Sequence, residues 1–475
     1  MKKYFKFKHT IIFMLVIFML VYTAGNFAFA VKDLKAPKSP ANLIVTEITE
    51  KSVTLKWDKP KSSSNIKSYK IYKNSTYINS TNTTTYTINN LKPNTEYEFY
   101  IRSEAEKNNV SLASESVTIK TGTGIAETKI IGYYPAWKSY SGYTPDKLEA
   151  SKLSHINYAF ANIGQDNKIK LGYPDKDPEN FRKLNELKKI NPDLKILISV
   201  GGWNWSGQFS NTASTQTART TFAKSCVDFI VKYGIDGVDL DWEYPVSGGL
   251  STNSKRPEDK QNFTLLLKEI REKLDEQGLK DNKHYLLTIA GGASNYYLKN
   301  IEPAKVREYV DFANIMTYDL HGPWDAYSDY NAPLYNNSKA SPQYKISVDT
   351  SVAAWITAGF TKDKLVVGVP FYGYMYNVNA NNNKGLYQKH SEGKALSYNS
   401  IKTNYFSNEY EKLYDNESMV PWLYNGKVFI SYDDVKSMAK KAEYIINEDL
   451  AGIMIWELSQ DNKNELLNSI YDVLK

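Results

Sequence analysis

The spacing of apolar and polar positions changes character three times along the chain. Residues Thr10 to about Val21 form a nearly unbroken apolar run behind Lys2, Lys3, Lys6 and Lys8. From about Ala36 to Thr121 apolar and polar residues alternate with period two. The clearest stretches are Ser52-Val53-Thr54-Leu55-Lys56-Trp57, Tyr69-Lys70-Ile71-Tyr72 and Tyr97-Glu98-Phe99-Tyr100-Ile101. Alternation of this kind puts one strand face on a core and the other in water. Turn-rich segments (DKPKSSSN, KNST, KPNTE) separate the strands. Short strands at this spacing predict a small all-β sandwich over residues 36–122.

From Lys129 onward apolar runs alternate with amphipathic helical stretches. Eight runs read as strands: KIIGYYPAW, HINYAFANI, LKILISVGGW, GVDLDWEYP, HYLLTIAGG, VDFANIMTYDL, KLVVGVPFYGY and LAGIMIWELSQD. Between them lie segments such as FRKLNELKKI and FTLLLKEIREKLDEQ, with the 3.6-residue period of a helix. Eight strands alternating with helices over residues 127–475 predict a β/α (TIM) barrel, whose chemistry sits at the C-terminal strand ends. After the seventh strand come about 55 residues rich in Asn, Tyr and Lys. A structureless loop of that length is uncommon, so residues 377–431 are expected to form a small inserted α+β subdomain walling the active face. The fold class is thus multidomain, a sandwich followed by a barrel.

The N-terminus adds a location. A positive start, a short apolar run and Ala28-Phe29-Ala30 make an export signal over residues 1–30, cleaved after Ala30. The run is short for a membrane span and no stop-transfer pattern follows, so a secreted, extracellular protein without a stable membrane anchor is expected. The formal net charge is +7. The four signal lysines carry four of these charges, leaving a weakly basic mature chain. No basic run is interleaved with aromatics, which excludes nucleic acid as a partner. Cys226 is the only cysteine and lies in an apolar stretch, where it behaves as a small hydrophobe rather than a nucleophile. The five histidines are scattered without ligand spacing, so neither a metal nor a cofactor is expected. Aromatics reach 13%, with 37 Tyr and 9 Trp. That suits either a ring-rich core or stacking on sugar faces. A monomer is expected.

The strongest chemical signal is in the fourth barrel strand, Asp236-Gly237-Val238-Asp239-Leu240-Asp241-Trp242-Glu243-Tyr244-Pro245. Strand side chains alternate faces, so Asp239, Asp241 and Glu243 share one, at about 6.6–6.8 Å per two-residue step. In a barrel that face is the lumen. Three carboxylates stacked there are costly unless they share protons or do work. Mutual repulsion raises at least one pKa and keeps an acid protonated near neutral pH. Glu243, nearest the open strand end, is the natural general acid. A calcium loop would alternate Asp in a similar way, but its intervening residues are polar and here they are Leu and Trp.

These residues carry a resemblance. DGVDLDWEYP resembles the signature of glycoside hydrolase family 18, the chitinases. Ser199-Val200-Gly201-Gly202-Trp203 resembles that family's third-strand motif, Met316-Thr317-Tyr318-Asp319 its sixth and Ile455-Trp456-Glu457 its eighth. The resemblance implies a chitinase with a retaining, substrate-assisted mechanism, an exception to the two-carboxylate scheme. It implies that Glu243 is acid and then base, that Asp241 orients the substrate acetamido group, that Asp239 shares a proton behind it, and that Tyr318 holds the acetamido carbonyl. It implies sugar contacts from Gly201, Gly202, Trp203, Asn204, Tyr244, Met316, Asp319 and a floor at Trp456. Trp137, Trp205 and Trp324 are further aromatic candidates. Many relatives carry Arg after the seventh-strand FYG, where this chain has Tyr374. The N-terminal segments PANLIVTEITEKSVTLKW and NLKPNTEYEFYIRS resemble a fibronectin type III domain, with Trp57 in the core and Tyr97 at the corner. The expected partners are therefore chitin or chitooligosaccharides. An endo-β-N-acetylglucosaminidase acting on N-glycans or peptidoglycan shares the barrel and the last carboxylates, although Trp242, Tyr244-Pro245 and the insertion favour chitin. A chitin-binding lectin would lack the acid, and an adhesin would be dominated by the fibronectin-like module.

Overall fold

A computed structural model describes residues 36–49, 52–61, 65–92, 95–106, 109–121, 128–341 and 345–475. The expected export signal lies outside the described residues, as do residues 122–127 between the two expected domains. The chain divides into two compact units, Met1–Ala126 and Glu127–Lys475.

The first unit contains β1 (Ala41–Ile48), β2 (Val53–Asp58), β3 (Ile66–Lys73), β4 (Thr76–Thr81), β5 (Thr85–Ile88), β6 (Glu96–Ala105) and β7 (Val117–Lys120). They form two antiparallel sheets, ordered β1-β2-β5 and β4-β3-β6-β7. The period-two pattern accounts for this: in β6, Tyr97, Phe99, Ile101, Ser103 and Ala105 are buried and their neighbours less so. Trp57 is buried and meets Tyr69 edge-on at 5.4 Å between ring centres. The Tyr97 hydroxyl accepts the Lys92 N–H at 2.8 Å, tying down the approach to β6 as a corner tyrosine does.

The second unit begins with β8 (Lys129–Pro135), β9 (His155–Ile163), β10 (Ile169–Lys170), β11 (Lys195–Gly201), β12 (Gly237–Asp241), β13 (Leu286–Gly292), β14 (Phe312–Met316) and β15 (Leu365–Pro370). It continues with β16 (Tyr372–Val378), β17 (His390–Ser397), β18 (Glu411–Asp415), β19 (Val420–Tyr424), β20 (Val428–Ser431) and β21 (Gly452–Trp456). Eight parallel strands, β8-β9-β11-β12-β13-β14-β15-β21, run in order and close by pairing of β21 with β8. All eight runs read from the sequence are among them. They are mostly apolar on both faces because side chains fill the lumen on one side and helices cover the other. In β9 only Asn162 is not fully buried. The helix Gln216–Tyr233 illustrates how the outer layer is specified. The Thr215 hydroxyl accepts the Ala218 N–H at its start, and Gly234 stops it in the left-handed region at φ 66°. Its inner face buries Phe222, Ala223, Cys226, Phe229 and Ile230. Cys226 is therefore a packing residue, and burial pushes its thiol pKa up.

The inserted subdomain is a five-stranded antiparallel sheet, β17-β16-β20-β19-β18, with the helix Tyr398–Tyr405. It begins at Tyr372, earlier than the expected 377. The barrel ladder ends where the Phe371 N–H donates to the Trp456 carbonyl, and Tyr372 already pairs with Ser397. The chain returns to the barrel through the helix Val435–Asn447, capped by Asp434. Behind that cap the Lys441 ammonium donates to Asp433 at 2.6 Å, both groups buried. Burial lowers the lysine pKa and raises that of the aspartate, while each charge supports the other. Among the described residues no helix is long and apolar enough to cross a membrane.

Candidate active site

The C-terminal ends of the barrel strands surround a cavity of about 940 Å³. Its lining includes Asp241 and Glu243 from the end of β12, Gly201, Trp203 and Asn204 after β11, Met316, Tyr318 and Asp319 at the end of β14, and Trp456 at the end of β21. Tyr244, Trp137 and Trp205 also line it. Asp239 and Gly202 lie beneath the surface rather than in the wall. Trp324 is 63% exposed and does not line the cavity.

Asp239 sits at the barrel axis with no exposure. Its Oδ2 accepts the Tyr133 and Ser199 hydroxyls, each at 2.7 Å, and its Oδ1 accepts the Thr288 hydroxyl at 2.6 Å and Asn314 Nδ2 at 3.4 Å. Burial raises its pKa, and these donors pull it back. No hydrogen bond joins Asp239 to Asp241, so the expected proton sharing takes the form of coupling through charge. Asp241 is the opposite case. Its Oδ1 is buried and has no hydrogen-bond partner. Burial, then the charges of Glu243 and Asp239, push its pKa well above the ordinary carboxylate value. Glu243 is raised to about 7, chiefly by burial and further by the charge of Asp319, against the Tyr244 phenol, which favours the ionised form. The site thus holds a carboxyl with four hydrogen-bond donors at the bottom and, nearer the mouth, two carboxyls whose pKa values burial raises.

The Glu243 main chain is fixed from both ends. Its N–H donates to the Ser206 hydroxyl at 2.8 Å, and its carbonyl accepts Asn253 Nδ2 at 3.0 Å. Gly201 has φ 103°, and a Cβ there would strike the Asp241 carbonyl. Gly202 has φ 72° and donates its N–H to that same carbonyl at 2.8 Å. The glycines therefore let the third-strand turn lie against the acid strand. Trp456 packs with Tyr133, Phe160 and Trp137 at 5.5, 5.7 and 6.5 Å between ring centres, making an aromatic floor. The Tyr318 hydroxyl makes only a 3.9 Å contact to Met454 Sδ. Asp319, at φ 54°, accepts both the Tyr372 and Tyr374 hydroxyls on Oδ1, and its N–H donates to Asn331.

Sequence reasoning missed Tyr133, Thr288 and Asn314 under Asp239, the Ser206 and Asn253 braces, and the phenols on Asp319. Tyr173, Ser247, Tyr296, Tyr297 and Asn300 also line the cavity and were missed as well. The available signal was a polar residue on the inward face of an otherwise apolar strand, as at Thr288 and Asn314. Among the described residues no group of three or more His, Cys, Asp or Glu side chains could hold a metal ion.

Comparison with known proteins gives two family matches: glycosyl hydrolases family 18 over residues 129–461 and fibronectin type III domain over residues 38–120. Chitinase A1 of Niallia circulans is 43% identical over 403 residues, covering 72% of this chain. The match spans 58% of that protein's length. Chitinase B of Serratia marcescens is 30% identical over 390 residues, 68% of this chain and 76% of that protein. Among solved structures, a family 18 N-acetylglucosaminidase from Paenibacillus barengoltzii superimposes with a TM-score of 0.67 at 39% identity, covering 73% of this chain and 99% of that one. Chitinase ChiA74 from Bacillus thuringiensis gives 0.69 at 36% identity, covering 73% of this chain and 70% of that one.

Proposed function

Since the chain belongs to the glycosyl hydrolases of family 18, we propose that it is a chitinase. It hydrolyses β-1,4 bonds between N-acetylglucosamine units with retention of configuration. The observation that carries this reading is the buried, unpartnered Oδ1 of Asp241 in the cavity wall beside a glutamic acid with a pKa of about 7. An orphaned buried acceptor costs stability unless a ligand satisfies it. A substrate acetamido N–H is a donor of the right kind.

In this mechanism Glu243 donates its proton to the glycosidic oxygen. The acetamido carbonyl oxygen attacks C1 as the leaving group departs, giving an oxazolinium ion on the substrate. Asp241 accepts the acetamido N–H and stabilises the positive charge, with Asp239 behind it sharing its proton. Tyr318 steadies the acetamido carbonyl, and Trp456 supports the sugar ring. Water, deprotonated by Glu243, then opens the ring from the face the leaving group vacated. The tethered acetamide supplies the proximity that a protein nucleophile would otherwise provide. Among the described residues the cavity-lining carboxylates are Asp241, Glu243 and Asp319, and Asp319 is engaged by two phenols. This favours substrate assistance over a second protein carboxylate. We further read the protein as exported with cleavage after Ala30, acting as a monomer on chitin or chitooligosaccharides, with the fibronectin-type module as a spacer.

Chitohexaose, a fully deacetylated glucosamine hexamer and an N-glycoprotein, each followed by mass spectrometry, test the reading. Chitohexaose is cut and the glucosamine oligomer is not. NMR immediately after cleavage shows the β-anomer first. Efficient cleavage of the deacetylated oligomer, or a first product with the α configuration, refutes substrate assistance. Turnover confined to the glycoprotein moves the assignment to an endo-β-N-acetylglucosaminidase.

A further inference from the structure

The influences on Asp241, Glu243 and Asp319 are burial, neighbouring phenols and one another's negative charge, with no lysine or arginine among them. An anionic cluster at the mouth of a barrel would ordinarily attract a cation. Here Asp319 is met instead by two phenols, those of Tyr372 and Tyr374. β16 projects Tyr372 and Tyr374 to the same side, two residues apart, and both hydroxyls donate to Asp319 Oδ1, Tyr374 at 2.7 Å. Tyr374 is itself 7% exposed and braced edge-on by Trp324 at 5.6 Å between ring centres. The Asp319 main chain is anchored as well, its N–H donating to Asn331 Oδ1 at 2.8 Å.

We propose that Tyr374 is a positioning residue for the hydrolase reaction: with Tyr372 it clamps the Asp319 carboxylate through a neutral donor, so that the Asp319 charge acts undiminished on Glu243. This rests on the chitinase reading only for its kinetic consequence. The groups facing Glu243 are Asp241 on its own strand, Tyr244, Tyr297, Tyr318 and Asp319. Those facing Asp319 are Tyr372, Tyr374, Tyr318 and Tyr244, with Tyr376 more remote. All are neutral or acidic, so the charge at residue 374 is a single adjustable variable. A neutral clamp keeps the acid protonated to higher pH than a cationic one would.

The test uses the full chain, with Tyr374→Arg and Tyr374→Phe beside wild type. Profiles of kcat/KM against pH on a fluorogenic chitotrioside give the alkaline limb. Carbon-13 carboxyl NMR, with signals assigned by Glu243→Gln and Asp319→Asn, gives the midpoints without requiring turnover. Tyr374→Arg should move the Glu243 midpoint and the alkaline limb down by about one pH unit, a tenfold change in the protonated fraction above it. Tyr374→Phe removes one donor without adding charge, so the Asp319 midpoint should rise while the alkaline limb moves little. If Tyr374→Arg does not fold, the Asp319 midpoint in Tyr374→Phe decides alone. A Glu243 midpoint within about 0.2 pH unit of wild type in folded Tyr374→Arg, or an Asp319 midpoint within about 0.2 pH unit of wild type in folded Tyr374→Phe, overturns the proposal. Absence of turnover of any N-acetylglucosamine oligomer by wild type would instead overturn the chitinase reading, and the NMR midpoints would still decide the role of Tyr374.

Discussion

Replacing Glu243 with Gln should destroy catalysis and stabilise the protein, with a pH dependence that identifies the cause. Glu243 is 8% exposed, and its pKa rises from an ordinary 4.5 to about 7 on folding. A raised folded pKa means the folded protein binds the proton more tightly than the unfolded chain. That contribution is fully present below about 4.5 and is lost as pH rises through about 7. The interval is about 2.5 pH units, and at about 1.4 kcal/mol each the loss by pH 8 is on the order of 3 kcal/mol. Gln has the volume of the protonated acid but nothing to ionise, so it avoids the loss. At about 2.1 cal/mol/K per residue, the roughly 350 residues of the barrel unit convert 3 kcal/mol into about 4 °C of Tm. Calorimetry of both proteins at each pH from 4 to 9 should therefore show equal Tm near pH 4 and a variant about 4 °C more stable at pH 8. The same variant should lose at least about 10²–10⁴-fold in kcat, the contribution of a general acid. A Tm difference independent of pH, or a variant less stable than wild type at pH 8, refutes the assignment of a burial-strained acid.

Wild-type kcat/KM should fall about tenfold per pH unit above about 7, as Glu243 loses its proton, and a profile flat to pH 9 would exclude it as the acid. Lys441→Met should cost about 3–5 kcal/mol by stranding the buried Asp433, whereas Lys441→Met with Asp433→Leu should recover most of the loss in urea unfolding. Deleting residues 36–121 should leave turnover of soluble chitooligosaccharides nearly unchanged; a hundredfold drop in a folded product would place the module in the site. Secreted material should begin at Val31 on N-terminal sequencing, and a start at Met1 would remove the export signal.

Much of the architecture was legible because its signals are local. Period two in Tyr97-Glu98-Phe99-Tyr100-Ile101 is dictated by one buried face, and it appears as alternating burial in β6. Asp239, Asp241 and Glu243 stood out because charge on a doubly covered strand has no packing explanation. The supports of that stack were not legible. Thr288 and Asn314 look like ordinary strand residues and reach Asp239 only when the barrel closes, across separations of 49 and 75 residues. Tyr372 and Tyr374 were read as the end of the seventh strand, because a strand passing from barrel to insertion keeps its alternation. Nothing local records which sheet it joins. Trp324, an aromatic candidate, is outside the cavity and meets Tyr374 edge-on.

The four donors on Asp239 come from β8, β11, β13 and β14. The carboxylate therefore works as a latch that reports circular completion. An arc of strands that is not yet a ring leaves a carboxyl at its centre with only some of its partners, so partial rings are penalised and the closed ring is favoured as a unit. Cutting the chain after Asp281 would leave Tyr133, Ser199 and Asp239 on one piece and Thr288 and Asn314 on the other. Neither piece can satisfy the latch alone, whereas the two together can, so the hydrolytic centre and the all-or-none character of barrel assembly depend on the same buried carboxylate.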